Sequence, residues 1–380
     1  MIYLDHASSS KPKPFFVQNA IVKQLKEISL NPLRNQNSSE NLELYRNNLL
    51  KFLNLSENFS SIFTKNATEA ANLFLFGIEE DFQTLLIDSY SHNAILRPAY
   101  KISKEKKNKL YILNRNTNFL SAWKNIIEKE TKKTLLCVNM ASNVTGEVLS
   151  HDELHFIFNL MKENKSLFLF LDASQYIGNF PFIKIPDFAA QRTALFSSSH
   201  KYLLGPESAG FLIFYKNMKI NPLLFGGTGF DSMNKNMPES YPYKLEAGTY
   251  SMTTICGLNS SLEQGQDYFT NTYKKKLKYG IFFYNMLTNI NNWHVYGPKP
   301  EDGKHCLVFS IVHDFLNCEE LSFILWEQYK IITRSGFHCS PLVFENLPEK
   351  FKNGSLRISL GYNTKKQDIE KLLFALREIS

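Results

Sequence analysis

An alternation along the chain constrains its fold more than any other feature. Between residues 58 and 215, short apolar runs of strand length take turns with stretches of helical periodicity. The runs fall at 61–64, 84–88, 110–113, 134–138, 167–171, 194–197 and 209–214, and 151–163 is one of the helical stretches between them. Strands that are apolar at every position, not at every second one, are buried on both faces, and intervening helices supply the cover. The pattern therefore predicts an α/β fold, with a large domain on a mainly parallel seven-stranded sheet. After about residue 258 the character changes. A long helical stretch to about 288 is followed by a compact mixture: strands near 292–296, 306–312, 331–333 and 356–360, and helices near 318–329 and from 366. A smaller α+β C-terminal domain is expected at 259–380, a large domain at 15–258, and an N-terminal segment, 1–14, packing near the active site.

The chain has 380 residues, 43% hydrophobic and 21% charged, with 31 Phe and 18 Tyr, which is ample for a large core. No apolar run approaches the roughly 20 residues that cross a bilayer. Asp5, His6 and Lys11 interrupt the start before a signal sequence could develop. A cytoplasmic protein without membrane contact is expected. The net charge of +7 is modest, and the lysine clusters at 101–109 and 274–278 lack the interleaved aromatics of a base-stacking surface. Direct nucleic-acid binding is therefore not expected. The five cysteines, Cys137, Cys256, Cys306, Cys318 and Cys339, are odd in number and show no CxxC or zinc spacing. They argue against structural disulfides and a metal site. Cys137 and Cys306 sit in apolar runs, as small hydrophobes do. Cys339 stands instead in a polar, turn-like segment with Arg334, Gly336, His338 and Pro341.

In open α/β sheets, ligands bind beyond the carboxyl ends of the strands, and here those ends are polar. They read Thr64-Lys-Asn-Ala-Thr68, Asp88-Ser-Tyr-Ser-His92, Asn139-Met-Ala-Ser-Asn143, Asp172-Ala-Ser-Gln175 and Ser197-Ser-Ser-His-Lys201. Residues 66–69 open a helix, whose free N–H groups and dipole attract an anion, and Ser198 and His200 add donors. No Walker A loop or dinucleotide fingerprint accompanies them, so nucleotide readings lose ground. Asp172 ends an apolar strand, and a buried carboxylate requires a cation or strong donor. A protonated pyridine nitrogen would meet that need, with Lys201 bonding an aldehyde carbon beside it.

In order along nearly the whole chain, these segments resemble the PLP-dependent class V aminotransferase-fold family, and within it the cysteine desulfurases. The resemblance runs through Tyr3-Leu-Asp-His-Ala-Ser-Ser9, Asn66-Ala-Thr-Glu-Ala70, Ser91-His-Asn-Ala-Ile-Leu-Arg-Pro98, Ser142-Asn-Val-Thr-Gly146, Asp172-Ala-Ser-Gln175 and His200-Lys-Tyr-Leu-Leu-Gly-Pro206. It continues through Gly226-Gly-Thr-Gly229, Glu246-Ala-Gly-Thr249, Arg334-Ser-Gly-Phe-His-Cys-Ser-Pro341 and Arg357-Ile-Ser-Leu-Gly-Tyr362. It implies a fold-type I enzyme, acting as a homodimer with pyridoxal 5'-phosphate (PLP) held as a Schiff base on Lys201. It further implies that Asp172 pairs with the ring nitrogen, Gln175 bonds the ring hydroxyl oxygen, and His92 stacks on the ring and helps move protons. Thr68, Ser198 and His200 would hold the phosphate, with Thr249 reaching in from the other subunit. Ala67 stands where many relatives carry a further Thr. Asn143 and Arg357 would bind the substrate carboxylate.

The segment around Cys339 resembles the second type of desulfurase, with an Arg-x-Gly-x-His-Cys pattern. It implies that Cys339 takes the sulfur of L-cysteine as a persulfide, leaving L-alanine, and that Arg334 and His338 favour the thiolate. The sulfur would pass to an acceptor protein or a small thiol. An iron–sulfur scaffold, a tRNA-thiolation protein and a relay carrier are all open. His6 replaces the family's usual Asn, and 31–37 departs from the family's wording, which leaves substrate preference open. The alternatives are a selenocysteine lyase or cysteine-sulfinate desulfinase, a class V aminotransferase or lyase with Cys339 a bystander, and a non-catalytic sulfur-transfer scaffold.

Overall fold

The computed structural model describes residues 1–26, 36–115, 118–230 and 233–380. The N-terminal strand β1 (Ile2–Tyr3) is followed by the strands of the main sheet: β2 (Phe59–Thr64), β3 (Thr84–Asp88), β4 (Lys109–Leu113), β5 (Thr134–Asn139), β6 (Leu167–Asp172), β7 (Thr193–Ser198) and β8 (Gly210–Tyr215). The seven apolar runs thus form one sheet, in the order β2-β8-β7-β6-β5-β3-β4. The pairs from β7 to β4 are parallel, and β8 runs antiparallel to both its neighbours.

Side-chain alternation explains how both faces are filled. In β6, Leu167, Leu169 and Leu171 point to one face, where they join Leu154, Ile157 and Phe158 of the helix His151–Glu163. Phe168 and Phe170 point to the other, against Phe74 of the helix Ala67–Gly77 and Ile95 of the helix Asn93–Lys106. The Phe170 ring stacks on Phe74 with centroids 4.2 Å apart. Burying such a side chain contributes about 1.5–3 kcal/mol, and truncating Phe170 to Ala would cost about 3–5 kcal/mol once the cavity is included.

The C-terminal part carries β9 (Trp293–Tyr296), β10 (Val308–His313), β11 (Ile331–Ile332), β12 (Arg334–Gly336) and β13 (Ser355–Ser359). A second, antiparallel sheet has the order β12-β13-β10-β9, and β11 pairs in parallel with β1. This is the expected α/β architecture with a smaller C-terminal sheet. One apolar cluster joins the two parts, running from Leu169 and Tyr202 to Phe283, Phe309, Leu321 and Leu372. The long helical stretch is in fact two helices, Met252–Leu262 and Gly265–Leu287. The break falls at Gly265, whose φ of 73° is open to glycine at little cost. Among the described residues, no helix is long and apolar enough to cross a membrane.

Candidate active site

The carboxyl ends of β3, β5, β6 and β7 meet β12 and β13 around a cavity of about 190 Å³. Its wall contains Ala67, Thr68, His92, Asn143, Asp172, Ser198, His200, Lys201 and Arg357. Three further residues singled out in the sequence are not in that wall. Gln175 is buried with its Nε2 donating to Ala7 O at 2.9 Å, and the neighbouring Ser174 takes the place at the cavity. Thr249 lines a separate cavity with Thr64, Lys65 and Glu69, so within one chain it does not meet Lys201. Cys339 is half-buried and reaches the wall through Arg334, whose Nη2 donates to its Sγ at 3.3 Å.

At one end of the cavity stands the helix start. Asn66 caps it, its side chain accepting from Glu69 N at 2.8 Å. The N–H groups of Ala67 and Thr68 fall in the first turn, where no intrahelical carbonyl is available. Gly210 makes this arrangement possible, because a Cβ there would lie 2.6 Å from the Asn66 carbonyl carbon. Beside the helix start, the Ser198 hydroxyl is buried with no hydrogen-bond partner. A buried orphan donor next to free N–H groups is suited to an anion such as a phosphate ester.

His92 caps the next helix. Its Nδ1 accepts from Ala94 N at 3.0 Å, so the ring proton lies on Nε2. Burial, together with Lys201 and Arg334, pushes this imidazole down to about 3, which keeps it neutral. His200 is pushed down to about 4, chiefly by burial. Burial also pushes the Lys201 ammonium down to about 8, against the pull of Asp172. Asp172 Oδ1 accepts from Ser174 N at 2.9 Å. The peptide before Lys201 is held by the N-terminal segment: His200 O accepts from Ser10 N at 2.8 Å and Lys13 Nζ at 2.9 Å.

Arg334 and Arg357 stand directly opposite each other on β12 and β13. Like charges in that position repel, and the N-terminal segment relieves the repulsion. Arg357 Nη2 donates to Asp5 Oδ1 and to Ser8 Oγ, each at 2.6 Å. Arg334 Nη1 donates to the same Ser8 Oγ at 3.0 Å, and Ser8 Oγ in turn donates to Asp5 Oδ1 at 2.9 Å. Asp5 and Ser8 went unassigned in the sequence. Asp5 lies inside the N-terminal motif at 3–9, but nothing local tells that it meets an arginine 352 positions away.

The Cys339 loop is unusual in its backbone. His338 and Cys339 have φ of 51° and 61°, a left-handed conformation that costs roughly 1–2 kcal/mol per residue. His338 turns away from the thiol, its Nε2 meeting Ser355 Oγ at 3.0 Å, and burial holds its imidazole well below the usual range. It therefore brings no charge to the sulfur. The Asn143 amide is also engaged, with His338 O and Ser340. His6 is not in the cavity wall; it is buried in the core edge-on to Tyr3, against Gly361. Positions 31–35 of the divergent segment lie outside the described residues.

A buried carboxylate, a half-buried lysine and an anion site at a helix start, gathered where parallel strands end, define a class of cofactor enzyme. A family model for aminotransferase class-V matches residues 2–372, and the chain belongs to that family, whose members in general depend on PLP. A probable cysteine desulfurase of Mycoplasma genitalium is 31% identical over 362 residues, which is 90% of this chain and 83% of that protein. A cysteine desulfurase of Wigglesworthia glossinidia brevipalpis is 26% identical, spanning 100% of this chain and 92% of the relative. Among solved structures, an apo cysteine desulfurase from Thermococcus onnurineus has a TM-score of 0.86 at 22% identity, covering 100% of this chain and 94% of that one. At that identity the likeness is one of fold.

Proposed function

We propose that this chain is a PLP-dependent cysteine desulfurase that converts L-cysteine to L-alanine and takes the sulfur onto Cys339. The observation that carries the reading is the meeting of Lys201, Asp172 and two opposed guanidiniums at one cavity, with the Cys339 thiol bound to one of them. Lys201 would hold PLP covalently and Asp172 would pair with its ring nitrogen. His92 would cover its face and Gln175 would bond its ring hydroxyl oxygen. Ala67, Thr68, Ser198 and His200 would receive the phosphate, completed by Thr249 from a second copy in a homodimer. When bound, PLP supplies an electron sink for the bonds at the amino acid Cα.

The chain's own residues account for the rest. Arg357 takes the cysteine carboxylate beside Arg334, which supplies the counter-charge that the opposed pair lacks. The Lys201 amine, its pKa lowered to about 8 by burial, moves the Cα proton. The Cys339 thiolate attacks the substrate sulfur. An S–S bond forms as the Cβ–S bond breaks, the electron pair stays with the carbon, and protonation there releases alanine. The persulfide then passes to an acceptor protein or small thiol in the cytoplasm.

The test is a visible spectrum of the purified protein before and after L-cysteine, with alanine and sulfide quantified. Absorption from bound PLP, a change on adding cysteine, and Cys339-dependent alanine are expected. Unchanged alanine and sulfide production in Cys339→Ala would refute the sulfur step. Faster turnover of selenocysteine or cysteine sulfinate would reassign the substrate, and amino transfer to a keto acid would reassign the reaction.

A further inference from the structure

Behind the cavity lies a buried ion pair that the proposed chemistry does not use. Asp88 ends β3, and Arg115 stands two residues beyond β4, the last strand of the sheet. Both side chains are almost wholly shielded from solvent, and Arg115 Nη2 donates to Asp88 Oδ2 at 2.5 Å. The same nitrogen donates to Asn139 O, so the guanidinium reaches across the end of β3 to the end of β5. Its Nε and Nη1 have no hydrogen-bond partner. Three rings stand around it instead, with centroids 5.0 Å away for Tyr90, 5.7 Å for Phe119 and 6.0 Å for Trp123.

A buried ion pair is a weak stabiliser, since apolar side chains of similar volume often hold a core as well. What this pair adds is direction. Asp88 Oδ1 accepts from Tyr90 N at 2.9 Å and Oδ2 accepts from Asn139 N at 3.0 Å. Asn139 Nδ2 donates to Tyr90 O at 2.7 Å. The turn 88–91 is thus held at Tyr90 through both its N–H and its carbonyl. His92 follows two residues later and bonds within its own helix start, at Ala94 N, so the place of its ring follows the turn that carries it. His92 lines the cavity, whereas Asp88, Tyr90, Arg115 and Asn139 are outside its wall.

We infer that Arg115 and Asp88 are positioning residues for His92, fixing the turn from which its ring covers the cofactor. This inference rests on the reading that PLP occupies the cavity. A ring that must lie flat on another loses its effect when its carrier shifts by about an ångström.

The test uses Arg115→Met, which keeps an apolar stem among the three rings and removes the charge, and Arg115→Lys, which keeps the charge. Each is made in the parent and in a His92→Ala background. Steady-state alanine formation from L-cysteine, counted per bound PLP, gives kcat. Mass spectrometry gives the rate at which diethyl pyrocarbonate modifies His92 in the cofactor-free protein. Arg115→Met is expected to lower kcat about tenfold where His92 is present and less than about twofold where it is absent, because the two residues then act through one ring. Arg115→Lys should lose only about threefold. Modification of His92 should speed by about threefold or more in Arg115→Met as the turn loosens. An equal loss of kcat in both backgrounds overturns the inference, since Arg115 would then act on the fold at large. Parental kcat in Arg115→Met or in His92→Ala overturns it, as does an unchanged rate of His92 modification. Where Arg115→Met does not fold, Arg115→Lys decides by the same comparison. Where His92→Ala forms no alanine, the modification rate decides. A parent protein that binds no PLP and forms no alanine would sink the desulfurase reading itself, while the modification rate would still judge the tie between Arg115 and His92.

Discussion

Two arginines on neighbouring strands set the character of the cavity. Arg334 and Arg357 are paired across β12 and β13, and the contacting carboxylate of Asp5 answers only one of the two charges. An anion between them is favoured by the repulsion it removes. The planar fork of Arg357 is fixed by Asp5, Ser8 and the Asn143 carbonyl, and lysine cannot reproduce three directed contacts from one head group. Arg357→Lys should therefore raise KM for cysteine by about tenfold or more, read from steady-state kinetics. A KM equal to the parent's would remove Arg357 from substrate binding. Asp5→Asn should destabilise the fold by about 3 kcal/mol, because a buried guanidinium loses its carboxylate, and urea unfolding would register it. Neither arginine's role is legible from its own neighbourhood. The register that sets them face to face is a property of the sheet.

At the scale of elements, the anion site depends on how closely a strand passes beneath a helix. β8 begins at Gly210 directly under residues 66 and 67, and any Cβ there collides with main chain, which cannot swing aside as a side chain can. Gly210→Ala should displace the helix start and weaken PLP retention about tenfold, measured by cofactor loss on gel filtration. Retention equal to the parent's would mean that the helix start does not hold the phosphate. The Asn66 cap acts on the same end, and Asn66→Ala should lower stability by about 1 kcal/mol in thermal unfolding. Sequence periodicity located this helix to within a residue, since its start follows a strand and a capping Asn. It did not locate the break at Gly265, where helix-forming residues continue on both sides and the chain merely changes direction.

For the whole molecule, burial holds a set of imidazoles down: His6, His92 and His305 to about 3, His200 to about 4, and His338 well below the usual range. In the unfolded chain each takes a proton near pH 6.5. Between those values the unfolded state binds more protons, so stability is full above about pH 6.5 and falls as the pH drops. Each group steepens the fall by about 1.4 kcal/mol per pH unit. Stability from urea unfolding should therefore decline sharply between pH 6.5 and 4.5. His6→Asn should flatten that slope by about one proton, because His6 lies in the core with neither ring nitrogen hydrogen-bonded to a side chain. An unaltered slope would show that His6 is already charged in the folded state.

What the sequence by itself determined was whatever depends on near neighbours. Apolar runs set the seven strands, the polar residues after them marked one rim of the sheet, and Lys201 and Asp172 stood out as strand-end residues of the types a PLP site requires. The ordered motifs identified the family. Tertiary structure decided what depends on contacts between distant segments: Asp5 on Arg357, Asn143 around the Cys339 loop, His338 turned toward Ser355, and Thr249 set apart from its own chain's Lys201. The physical reason is range. Hydrophobic periodicity and capping act within a few residues of themselves, whereas a hydrogen bond between positions 143 and 338 exists only after two sheets have packed on one core.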